Sequence, residues 1–165
     1  MLVLGIDPGS TVTGYGLVER VRGRYLLRTA GVVKTRSKDP MPLRLKLIFD
    51  GLASVLEVHQ PSVVAIEAIF RHKSSESALR LGQARGVALL AAAQRNLPVF
   101  EYNAMTVKKS VAGSGRADKE QVTRSVQMLT GSKLELPHDA WDAVAIGITH
   151  LAHARHHAQE REFRR

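Results

Sequence analysis

The chain has no cysteine among its 165 residues. That absence excludes disulfides, thiol nucleophiles and cysteine-ligated zinc, so any metal must be held by oxygen or imidazole, and carboxylates favour Mg²⁺ or Mn²⁺. Aromatic side chains amount to 5%, too few for base stacking to be a general mode of nucleic-acid binding. No apolar run reaches the roughly 18 residues of a membrane span, and the opening lacks the basic, apolar and small-residue order of a signal peptide. A cytoplasmic protein without membrane contact is expected. Acids are outnumbered as well, 15 Asp and Glu against 24 Lys and Arg, for a formal charge of +9. Such a surface attracts polyanions, nucleic acid first among them. Part of the excess lies between Arg155 and Arg165, expected to be a solvated, frayed basic tail. With 44% hydrophobic residues the length suits one domain with a substantial core and leaves no room for a second catalytic domain.

What is present is organised around Leu2 to Gly16, LVLGIDPGSTVTGYG. Leu2-Val3-Leu4-Gly5-Ile6 has the composition of a strand buried on both faces, and it stops at Asp7-Pro8-Gly9. Asp7 is either a turn-former, as Asp followed by Pro suits a β-turn, or a carboxylate aimed into the crevice beyond the sheet. Thr13 to Val21 and Tyr25 to Val33 read as two further strands joined at Arg22-Gly23, making a three-stranded meander. After Pro40 and Pro42, Leu43, Leu47, Ile48, Leu52, Val55 and Leu56 recur at helical spacing to about Gln60. Val63-Val64-Ala65-Ile66 repeats the buried-strand pattern and closes on Glu67. A crossover through the intervening helix would lay this strand parallel to another and bring Glu67 to the edge that carries Asp7. The alternative is an incidental acid at a strand end.

Phe70-Arg71-His72-Lys73 is a basic stretch with one aromatic, ahead of a Ser74 or Ser75 cap and a helix to about Asn96. Gly82 and Gly86, among Ala84, Ala88, Ala91 and Ala92, permit close packing inside the domain or across a dimer interface. Pro98 to Tyr102 reads as a fifth strand, with Asn103 capping the next segment. That segment carries Lys108 and Lys109, then Gly113-Ser114-Gly115, then Arg116 and Lys119 opening another helix. It lacks the spacing of a nucleotide-binding phosphate loop. Amides and lysines at a helix start nevertheless suit a phosphodiester backbone, the plain alternative being a solvated basic loop.

Gly131 and Pro137 bracket a turn, and a last helix starts near His138. Asp139 and Asp142 stand at i and i+3 on one face of it, able to reach a common ion or simply complementing the helix dipole. Trp141, Val144, Ala145 and Ile148 form the stripe that would press this helix onto the sheet. His150, His153 and His157 also share a face, but no acid or fourth ligand accompanies them, so a solvated face is expected rather than zinc. Four carboxylates with one meeting point would repel and hold protons unless cations intervene. Two Mg²⁺ ions about 3.5 to 4 Å apart would resolve the conflict and support phosphodiester hydrolysis.

The segments GIDPGSTVTGYG, AIEAIF, SALRLGQARGVA, PVFEYNAMTVKKSVAGSGRADKEQV and HDAWDAVAIGITH, in this order and over nearly the whole chain, resemble the RuvC family of Holliday junction resolvases. The resemblance implies an α/β, RNase H-like fold with a five-stranded mixed sheet flanked by helices. It also implies a homodimer that cuts four-way DNA junctions with Mg²⁺ in recombination and repair, leaving 5′ phosphates, alongside the RuvA and RuvB branch-migration proteins. Asp7, Glu67, Asp139 and Asp142 match the family's metal-binding acids. Phe70 matches an aromatic acting on bases at the junction centre, and Lys108 and Lys119 match DNA-contacting residues; Arg71, Lys73, Lys109 and Arg116 are the other basic candidates. Some members place a histidine where the first helical aspartate stands. Here both types are present, so His138 is either a brace or proton carrier beside Asp139 or a plain helix-start residue.

Three rivals remain from the residues alone. An actin-like ATPase would share the opening strand and turn but normally encloses nucleotide between two such domains. A nuclease of the same fold acting on ribosomal RNA precursors, or a junction-binding protein without catalysis, would share the basic surface.

Overall fold

In the computed structural model, residues 1–68 and 74–163 are described, those of 155–163 by their backbone alone. The elements in order are β1 (Leu2–Asp7), β2 (Val12–Val21), β3 (Arg24–Lys34), α1 (Met41–His59), β4 (Val63–Glu67), α2 (Ser75–Ala93), β5 (Val99–Tyr102), α3 (Ala104–Ala112), α4 (Lys119–Thr130) and α5 (His138–Phe163). The sheet runs β3-β2-β1-β4-β5. The first three strands form the expected antiparallel meander, closed by Arg22 and Gly23 at positive φ (49° and 85°), the signature of a tight hairpin turn.

β4 pairs parallel to β1, Leu4 opposite Val64 and Ile6 opposite Ile66, and β5 pairs parallel to β4. The carboxyl ends of β1 and β4 therefore reach the same sheet edge, as their repeated pattern predicts. Both strands are apolar up to the acids that end them because helices cover both faces. On one side Leu4, Ile6, Val64 and Ile66 pack with Ile48, Leu52 and Leu56 of α1 and Ala84 and Ala88 of α2. On the other, Val3, Val18 and Ala65 pack with Trp141, Val144 and Ile148 of α5, with α3 and α4 beyond.

α5 lies unusually close to the strands. A Cβ on Gly5 would stand 1.9 Å from the Ala143 carbonyl oxygen, and one on Gly14 would stand 1.9 Å from that of Asp139. Only glycine admits a helix backbone there, so the first turn of α5 is fixed directly on the sheet.

Helix starts follow the sequence closely. Ser74 accepts from the Ser77 amide, Asn103 accepts from the Thr106 amide, and Asp118 and Gln121 form a reciprocal capping box before α4. α2 stops at Ala93, short of Asn96, because Asn96 turns left-handed (φ 53°) and the Leu97 amide folds back onto the Ala92 carbonyl. Its alanines Ala84, Ala88, Ala91 and Ala92 are buried, whereas a Cβ on Gly82 or Gly86 would meet nothing within 4 Å. The alanines, not the glycines, make the internal packing.

The expected solvated histidine face is corrected. His150 is buried, with Nδ1 2.9 Å from the Tyr102 hydroxyl, and His153 Nε2 lies 3.2 Å from Ser110 Oγ. β5 and α3 cover α5 here, which periodicity along one helix cannot reveal. His157 carries no described side chain.

Candidate active site

Asp7 ends β1, Glu67 ends β4, and Asp139 and Asp142 occupy the first two turns of α5. The parallel register and the glycine contacts under α5 hold these backbone positions together. Asp7, Glu67 and Asp142 line a cleft of about 350 Å³, whose remaining wall includes Lys108 of α3, Lys119 of α4 and apolar Val107, Val122 and Ile146. The apolar wall withdraws water from the acids. Burial, reinforced by Glu67, Asp142 and Asp139, pushes the Asp7 carboxyl up to about 8. Burial likewise raises Glu67 and Asp142 above the usual carboxylate range, with Lys119 pulling both the other way. Asp7, whose proton can be shared with its neighbour, draws Glu67 back toward the ionised form. Lys119 Nζ stands 3.9 Å from Asp142 Oδ2.

Asp139 is beside the cleft rather than in its wall. It is close enough to raise Asp7 and Asp142 electrostatically. His138 is exposed and borders a separate groove between α4 and the 131–136 segment, while its charge favours ionised Asp142. Lys109 is exposed outside the cleft, and Arg116 lines a neighbouring cavity of about 560 Å³ with Ser114 and Arg124. Phe70, Arg71 and Lys73 lie outside the described residues.

One residue of the site's framework escaped the sequence reading. Arg44 of α1 is 3% exposed and donates to Ser10 and Thr11 in the turn after Asp7, and to Thr35. Its signal was present: Arg44, Ile48, Leu52 and Leu56 are the buried residues of α1, each four apart, so a cation sits on the apolar stripe.

As the side chains stand, no three His, Asp or Glu residues among those described are spaced to ligate one ion. The donor set nevertheless fits a hard divalent cation. It is all carboxylate, and burial and mutual repulsion shift Asp7, Glu67 and Asp142 toward the protonated form, a strain that a cation would relieve.

A five-stranded mixed sheet with acids ending two adjacent parallel strands and opening the helix laid across them defines an RNase H-like protein with a carboxylate site at the sheet edge. Residues 3–150 match the family model described as crossover junction endodeoxyribonuclease RuvC. The RuvC of Saccharophagus degradans is 48% identical over an alignment of 167 residues, covering 99% of this chain and 96% of that relative. The structure of Thermus thermophilus RuvC in complex with Holliday junction substrate superposes with a TM-score of 0.89 at 37% identity, covering 95% of this chain and 96% of that one. The yeast mitochondrial Holliday junction resolvase Ydc2, 16% identical with a TM-score of 0.64, covers 96% of this chain and 83% of its own and shares the fold. The chain belongs to the RuvC family of crossover junction endodeoxyribonucleases.

Proposed function

We propose that this protein resolves four-way DNA junctions by paired, symmetric nicks in recombination and repair, acting in the cytoplasm as a Mg²⁺-dependent homodimer. The observation that carries the reading is the convergence of Asp7, Glu67 and Asp142, with Asp139 beside them, in one cleft flanked by Lys108 and Lys119. Asp7, Glu67, Asp139 and Asp142 would hold two Mg²⁺ ions, for which Mn²⁺ would substitute. When bound there, such ions would supply an activated water and stabilise charge on the departing 3′ oxygen, so that a 5′ phosphate would be left.

The protein's own groups do the rest. Lys119 and Lys108 hold the phosphodiester at the cleft mouth and offset its charge, and the apolar wall of Val107, Val122 and Ile146 keeps bulk water away. Lys109 and Arg116 extend the basic surface along the backbone. Phe70 is assigned to the junction centre on the family pattern, and Arg71 and Lys73, next to it in the sequence, are further DNA-binding candidates. Dimerisation rests on the outer face of α2, where Leu79 and Leu90 are 63% and 52% exposed beside the open Gly82 and Gly86. A two-fold dimer then presents two clefts for two symmetric cuts. Cooperation with RuvA and RuvB rests on family membership.

The test is cleavage of a labelled, mobile four-way junction beside a linear duplex of the same sequence, each with Mg²⁺ and with EDTA. Paired nicks in the junction alone, lost with EDTA and lost with binding retained in Asp7→Asn, are expected. Binding without cutting in either Mg²⁺ or Mn²⁺ would leave a junction-binding protein instead. Asp139→Asn is expected to be inactive and His138→Ala active; the reverse result would transfer the ligand role to His138.

A further inference from the structure

The turn between β1 and β2 is held by a cation that bonds no carboxylate among the described residues. Arg44 Nε lies 3.1 Å from the Ser10 carbonyl and 3.2 Å from Thr35 Oγ1, and Nη2 lies 2.7 Å from the same carbonyl, 2.9 Å from Ser10 Oγ and 3.0 Å from Thr11 Oγ1. Thr35 adds to the same bracket, its hydroxyl donating to the Ser10 carbonyl at 2.6 Å and its amide to the Thr11 carbonyl at 2.8 Å. From the other end, Thr13 Oγ1 donates to the Gly9 carbonyl at 2.7 Å.

A buried guanidinium met only by neutral acceptors is costly, and a lysine or an apolar residue would serve a simple core position better. What the planar fork adds is geometry. It ties one carbonyl and two hydroxyls of a short turn to a helix on the sheet face opposite α5. The turn begins at Pro8, immediately after Asp7, and leads into Gly14, which pairs with Asp7 and bears on the Asp139 carbonyl. Its conformation thus sets where Asp7 stands relative to the first turn of α5.

We propose that Arg44 is a positioning residue for cleavage: it holds the Ser10–Thr11 turn so that Asp7 keeps its place against α5. The inference rests on the cleavage reading above for its consequence, but the turn itself can be observed without cleavage.

The experiment compares wild type with Arg44→Lys, which keeps the charge and stem but loses the fork, and with Thr35→Val, which removes the hydroxyl from the same bracket. Amide hydrogen exchange of the metal-free proteins reads the turn, and single-turnover cleavage and junction affinity read the consequence. In both variants exchange in residues 9–13 is expected to rise at least about 10-fold with α1 and the sheet unchanged. Cleavage at saturating enzyme is expected to fall about 10- to 100-fold, as for a misplaced catalytic group, with junction Kd within about 2-fold of wild type, since catalysis and not binding depends on that placement. Unchanged exchange in the turn overturns the proposal, as does loosening spread equally over α1 and the sheet. So does a loosened turn with undiminished cleavage. If wild type binds junctions but never cuts them, the cleavage reading fails by itself, and the exchange data still decide whether Arg44 pins the turn.

Discussion

Asp7 ties the stability of the metal-free protein to pH. Its carboxyl, at 3.8 when free, holds a proton to about 8 in the folded chain, chiefly through burial and then through Glu67. Between those values the folded state binds a proton that the unfolded state has released, so stability falls as pH rises through the window. The dependence is shared with Glu67, because the pair titrates together. In EDTA the Tm is therefore expected to drop between pH 5 and pH 8. Asp7→Asn, which cannot ionise, should flatten that slope and melt several degrees higher at pH 8, a rise of about 1 kcal/mol or more. Added Mg²⁺ should stabilise wild type most at pH 8, where ionised acids await a cation, and Asp7→Asn much less. Equal slopes for the two proteins would show that Asp7 is not the group holding the proton.

At the scale of elements, the same residue type does opposite work in two helices' surroundings. Gly14 lies under α5, and Gly14→Ala would drive a Cβ to 1.9 Å from the Asp139 carbonyl oxygen. Displacing α5 should lower stability by about 3 kcal/mol or more and cut cleavage, because Asp139 and Asp142 ride on the displaced turn. Gly86 lies in open space on α2, so Gly86→Ala should be neutral or stabilise by up to about 1 kcal/mol. Gly86→Glu should fold equally well yet sediment as a monomer, with paired nicks reduced to single ones. A Gly86→Glu protein that stays dimeric would place the interface elsewhere. These contrasts also show what the sequence could carry. The parallel placement of β4, a serine cap before α2 and the Asn103 cap were legible, as was the approach of Asp7, Glu67 and Asp142, since each follows from local pattern plus one crossover; that Asp139 stands beside the cleft and not in its wall was not. The close seat of α5 on Gly5 and Gly14, the cover over His150 and the Arg44 bracket were not, because each depends on which distant element arrives opposite a residue. Arg44 was half legible: its place on the stripe of Ile48, Leu52 and Leu56 marks it as buried, but nothing local names Ser10, Thr11 and Thr35 as its partners.

Taken whole, the molecule sets four acids against a formal charge of +9, and the two features act over different ranges. Asp7, Glu67, Asp142 and Lys119 work at contact distance in a cleft of about 350 Å³, where salt screens little. The remaining charge works through solvent and is screened beyond about 10 Å at 0.1 M salt. The segment 155–165 holds four arginines against two glutamates. It follows His150, Leu151 and His153, the last buried or paired residues described on α5. Truncation after Ala154 therefore keeps every described side-chain contact of that helix and removes a net charge of +2. The truncated protein should fold as wild type and bind both junction and linear duplex more weakly at low salt. Its plot of log affinity against log salt should be shallower by about 2, the slope that a net loss of about two phosphate contacts predicts. The ratio of junction to duplex affinity and the cleavage rate at saturation should not change, because the proposed reading assigns shape selection to a dimer and chemistry to the cleft. A truncated protein that lost its preference for junctions at all salt concentrations would show that these residues recognise the branch point itself and do not act merely as a diffuse positive charge.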